Sequence, residues 1–105
     1  MDLERFRRRP LLGILRDVAD DSLEAVLEAA CQGGLETVEI AMNTAGAAEQ
    51  IRRAVEKFSG RLTVGAGTVL TVPSLEAALD AGASFVVMPV IVPAVIDRCR
   101  ARDIP

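Results

Sequence analysis

The chain has 105 residues, room for one domain with a modest core; half of them are hydrophobic and only 3% aromatic. A net charge of −3 offers no electrostatic footprint for nucleic acid, and the absence of histidine removes His-centred triads, His-ligated zinc and imidazole general-base chemistry together. The core must be built from Ala, Val, Leu and Ile, as is usual where helices cover a parallel sheet.

In chain order, the first ten residues read as a short polar helix or arm ending at Pro10, with Arg7, Arg8 and Arg9 as a solvated basic patch. Residues 11–15 form a short buried strand with Arg16 at its end. Asp20, Asp21 and Ser22 supply capping oxygens, and Glu24 follows Asp21 by three residues as in a capping box. Leu23, Val26, Leu27 and Ala30 recur at helical spacing and face the sheet, and Gly33 and Gly34 stop that helix. The strand Thr37-Val38-Glu39-Ile40-Ala41 then carries an acid in its middle. A carboxylate in a strand built for burial is costly unless it has partners or work to do.

The pattern then recurs. Thr44 caps a helix whose buried stripe is Ala47, Ile51, Ala54, Val55 and Phe58, with Lys57, the single lysine, on its solvated side. Ser59 and Gly60 turn the chain into Leu62-Thr63-Val64-Gly65-Ala66-Gly67, and Thr68 follows at once. Backbone amides and a hydroxyl thus stand at the carboxyl end of a strand, where α/β proteins build their sites. Thr71 caps a third helix with Pro73 in its first turn, Leu75, Ala78 and Leu79 inward, and Gly82 at its end. Residues 85–88 make a fourth strand closed by Pro89, and a fourth helix runs from about 93 to 102.

A weak repeat supports this register: Glu24-Ala25-Val26-Leu27-Glu28-Ala29 and Glu76-Ala77-Ala78-Leu79-Asp80-Ala81 both lead through glycine into a strand. Four strand–helix units with short loops imply an α/β fold of parallel strands and right-handed crossovers, in a single domain over residues 1–105. The apolar run from Phe85 to Ile96 is too short to span a membrane and is broken by Pro89 and Pro93, and the amino terminus has no signal-peptide pattern. The expectation is a soluble, cytoplasmic chain with Cys31 and Cys99 as free thiols. Gly65 and Gly67 could also serve a nucleotide phosphate turn, but Leu70 stands where the fingerprint needs a third glycine.

Val38-Glu39-Ile40, Val64-Gly65-Ala66-Gly67-Thr68-Val69 and Met88-Pro89, with a glycine pair before the first and Ala-Gly-Ala before the last, resemble a known pattern. They match the first half of the class I aldolases acting on 2-keto-3-deoxy-6-phosphogluconate (KDPG) and 4-hydroxy-2-oxoglutarate (KHG). The resemblance runs from about Leu11 to Pro105. It implies a (β/α)8 TIM barrel, here its first four βα units, cleaving a 2-keto-4-hydroxy acid to pyruvate and an aldehyde through a lysine imine. It implies neither cofactor nor metal, no nucleic acid or membrane partner, and a homo-oligomer.

By resemblance Glu39 is the proton shuttle, and burial would tune its pKa for that work; a structural acid satisfied by backbone or arginine is the alternative. Thr68 matches a substrate-contacting threonine, or else a turn hydroxyl, and Pro89 lines the pyruvate pocket or simply ends a strand. Gly65 and Gly67 would let substrate approach the backbone. Arg16 can offer a fork to a carboxylate, or pair with Asp17. Asn43 stands where many relatives have an anion-binding arginine. The imine lysine and phosphate site belong to the second half of such a barrel, and Lys57 replaces neither. The expectation is a half-barrel with open edges that self-associates and is inactive alone; a fragment with only an assembly role is the alternative reading.

Overall fold

Short apolar strands alternate with amphipathic helices throughout the computed structural model, which describes residues 1–105. Helix α1 (Leu3–Arg8) precedes strand β1 (Gly13–Leu15), helix α2 (Leu23–Gln32), strand β2 (Thr37–Ala41), helix α3 (Ala47–Phe58), strand β3 (Thr63–Gly67), helix α4 (Val72–Asp80) and helix α5 (Pro93–Ala101). The strands pair in parallel in the order β1-β2-β3, with Ile14 opposite Glu39 and Glu39 opposite Gly65.

The two-residue period of a strand divides this sheet into two unlike faces. Leu15, Val38, Ile40, Val64 and Ala66 point to the helices and join Leu23, Leu27, Ile51, Leu75 and Val95 in the core. Ile14, Glu39 and Gly65 share the other face, where Ile14 is 64% exposed. Each crossover helix runs back against its strands, so the loops after β1, β2 and β3 gather at one end of the sheet.

Several expectations change in detail. The first strand is shorter than residues 11–15, and only Leu15 in it is buried, because its other face and its outer edge have no covering element. Residues 85–88 do not form a full fourth strand, and the four-strand arrangement reduces to three strands plus an extended segment with one bridge, Ala66 to Val86. Ser84, Phe85 and Val87 exchange backbone hydrogen bonds with β3, but on the far side Val86 meets only the Pro105 carbonyl, at 2.9 Å. Pro89 then has no N–H to continue the ladder.

Thr44 does not cap α3. Gly46, in a left-handed conformation at φ 73°, precedes the helix, and the Thr44 hydroxyl instead accepts the Asp17 N–H at 3.0 Å. The capping box at α2 is also unformed, because Glu24 is drawn to Arg53 and Lys57 on α3. Val26 is exposed; it lies one residue, about 100°, round the helix from the buried Leu27. Thr71 does cap α4, accepting the Ser74 N–H, and Pro73 occupies its first turn as expected.

Ion pairs tie the helices together two by two. Glu24 meets Arg53 and Lys57, and Glu28 meets Arg61, linking α2 to α3 and its following turn. Glu76 meets Arg98 and Arg102, linking α4 to α5. Between α3 and α4 the contact is apolar, with Val55 against Gly82. Cys31 and Cys99 are free thiols, and no helix is long and apolar enough to cross a membrane.

Candidate active site

The sheet brings together residues that lie far apart in the chain. Arg16 follows β1, Asn43 lies just beyond β2, Thr68 follows β3, and Pro89 ends the bridged segment, so all four stand at the carboxyl ends of the strands. Glu39, in the middle of β2, faces away from the helix-side core at the level of Gly65.

Glu39 is 3% exposed, and its Oε2 has no hydrogen-bond partner. Burial pushes its carboxyl above the ordinary range, and the positive charge of Arg16 offsets this in part. The reading of Glu39 as an acid satisfied by backbone or arginine therefore fails for Oε2. A carboxyl held this way binds a proton more tightly and has a free lone pair, which is what a proton carrier requires.

Arg16 does not pair with Asp17. Its Nη2 donates to the Thr68 Oγ1 at 2.9 Å, reaching from the end of β1 over the end of β2 to β3. This leaves an exposed guanidinium with further donors beside a hydroxyl, an arrangement suited to a carboxylate or keto oxygen. Thr68 holds φ 55°, in the left-handed region that a β-branched residue rarely occupies. Such strain gathers where function fixes a side chain. Asn43 and Pro89 are exposed at the same end of the sheet.

The two glycines serve a purpose other than substrate approach to the backbone. A Cβ on Gly67 would collide with the Glu39 carboxylate, and one on Gly65 with the ring of Phe85. The space above the β3 backbone is filled by those two side chains.

Gln50 was not foreseen. It is 2% exposed on α3, and its Nε2 donates to the Val18 carbonyl and Asp20 Oδ1, both at 2.8 Å. With the Thr44 hydroxyl on the Asp17 N–H, it pins the loop that carries Arg16. Its position in step with Ala47, Ile51 and Ala54 was the available signal. Lys57 lies in the last turn of α3, at the opposite end of the strands, with its Nζ 2.7 Å from Glu24.

Comparison with known proteins follows the same lines. The pattern of the family described as KDPG and KHG aldolase matches residues 3–105. A probable 2-dehydro-3-deoxy-6-phosphogalactonate aldolase of Rhizobium meliloti is 36% identical over 88 residues, 84% of this chain and 42% of that protein. The 2-dehydro-3-deoxy-phosphogluconate aldolase of Treponema pallidum is 36% identical over 103 residues, 98% of this chain and 47% of that one. Among solved structures, the Zymomonas mobilis ZM4 KDPG aldolase with 3-phosphoglycerate superposes with a TM-score of 0.84 at 29% identity, over 97% of this chain and 48% of that one. The chain spans about half the length of the relatives it matches.

Proposed function

This chain belongs to the KDPG and KHG aldolase family, and we propose that its residues hold the proton-transfer half of a class I aldolase site. The reaction splits the C3–C4 bond of a 2-keto-4-hydroxy acid, giving pyruvate and an aldehyde. Glu39 takes the proton from the C4 hydroxyl as the bond breaks and returns one to the pyruvate carbon. Arg16 and Thr68 hold the carboxylate, and the keto oxygen until it leaves as water when the imine forms; Asn43 adds a polar contact, and Pro89 walls the pyruvate pocket. The observation that carries this reading is the buried carboxylate of Glu39, with its unpartnered oxygen, beside the Arg16–Thr68 pair.

The lysine that forms the imine lies outside these residues in this reading, because Lys57 is paired with Glu24 at the other end of the strands. The imine supplies the electron sink; Glu39, Arg16 and Thr68 supply proton transfer and orientation. The relatives' names divide between a phosphogluconate and a phosphogalactonate, so both sugar acids are candidate substrates. The chain associates with copies of itself, which removes the exposed Ile14 from water.

The test pairs binding with turnover. Pyruvate added to the isotope-labelled chain should shift the amide signals of Arg16, Glu39 and Thr68, while neither sugar acid yields pyruvate in a dehydrogenase-coupled assay. Borohydride should trap no adduct on Lys57. Pyruvate that disturbs none of the three residues, or turnover with a Lys57 adduct, overturns the reading.

A further inference from the structure

Phe85 is 5% exposed, yet it does not belong to the helix-side core. Parallel pairing explains why. Ala66 bridges Val86 and Glu39 pairs with Gly65, so Phe85, Gly65, Glu39 and Ile14 follow one another across one layer of the other face. The ring rests on Gly65, where any side chain would collide with it. One layer nearer the carboxyl end, the Glu39 carboxylate leans over Gly67. Gly65 makes room for the ring and Gly67 for the acid. On the opposite flank Ile14 is largely exposed, so the ring is the large apolar group that seals this layer.

We propose that Phe85 is a positioning residue for Glu39: its ring, seated on Gly65, keeps water from the carboxylate and tips it toward the carboxyl ends of the strands. The proposal rests on the reading of Glu39 as the proton carrier, but its test requires no turnover. The neighbouring residues of β3 (Gly65, Gly67, Thr68) and of the bridged segment (Phe85, Val87) carry no charge. Arg16 at the end of β1 is the charged group that acts on Glu39, and its pull lowers the pKa. Phe85 works in the opposite sense, by excluding water.

Carboxyl-carbon NMR of chain labelled in its glutamates reads this directly. Glu39 should titrate above the other glutamates in the wild-type chain, fall by about one pH unit in Phe85→Ala, and fall less in Phe85→Leu. Arg16→Gln should raise it instead. Leu75→Ala, which opens the helix-side core, should weaken the fold without moving Glu39. Where Phe85→Ala does not fold, Phe85→Leu decides. A raised Glu39 that stays put in the folded Phe85 variants overturns the role of Phe85 alone. A Glu39 that titrates with the other glutamates in the wild-type chain overturns the proton-carrier reading with it.

Discussion

The two ends of the sheet are built to opposite rules. At the amino ends of the strands the charged groups find partners: Arg5 Nε lies 2.9 Å from Glu36, its Nη2 donates to the Arg61 carbonyl, and the Met1 amine reaches the Ser84 carbonyl. The arginines there hold the Glu36 carboxyl below its ordinary range. At the carboxyl ends, Glu39 keeps an unpartnered oxygen and a raised pKa, and the β-branched Thr68 holds a left-handed backbone angle. One end uses its charges to hold the fold together, and the other keeps arrangements that cost stability. In parallel α/β folds the carboxyl ends of the strands are where binding sites are generally built.

Substitutions can break or sharpen that contrast. The largest effect is expected from Gly65→Ala, whose new methyl enters the Phe85 ring. It should cost about 2–3 kcal/mol in urea unfolding, and Phe85→Leu in the same chain should recover part of the loss. A full cost that persists in the double variant would show that the two residues do not share this space.

Glu39→Gln comes next and has the opposite sign. A carboxyl whose folded pKa is raised contributes full stability below its ordinary value of 4.5, and that stability is lost as pH rises through the folded pKa. The glutamine variant should therefore be more stable by about 1 kcal/mol near neutral pH. The gain should vanish when unfolding is measured at about pH 4. A gain independent of pH would mean that the charge is not the cost.

The smallest effect belongs to Glu36→Gln at the amino end. Its depressed pKa means that the acid contributes stability above its ordinary value, lost as pH falls through the folded pKa. The variant should be slightly less stable at neutral pH, and added salt should erase the difference. A stabilised variant would end the contrast between the two ends.

The sequence made much of this legible. Thr71 and Pro73 announce a helix start by local chemistry alone, and the glycine-bounded apolar runs announce parallel strands. Glu39, Arg16 and Thr68 stand out because an acid in a buried run, or a hydroxyl after a glycine-rich strand, has few inexpensive explanations. What stayed hidden depends on contacts between distant segments. Thr44 reads as a cap until Asp17 arrives to claim its hydroxyl. Gln50 falls in step with the buried stripe of α3, but its partners, Val18 and Asp20, become visible only when the loop after β1 folds onto it. Gly65 and Gly67 read as open backbone until Phe85 and Glu39 fill the space above them. The fourth strand is incomplete because its pairing with β3 is limited to one bridge, Ala66 to Val86, before Pro89 removes the next donor, and local propensity does not encode that pairing.

The pairing of the helices by charge bears on recombination. Glu24 and Glu28 have their counter-charges on α3 and its following turn, and Glu76 has both of its own on or beside α5. A chimera that exchanges α2, α3 and the turn through Arg61 as a block carries matched charges with it. Swapping α3 alone strands Glu24, while Glu28 keeps Arg61. The join between α3 and α4, held by Val55 against Gly82, asks only for compatible shape, so shuffled variants should tolerate crossovers there best.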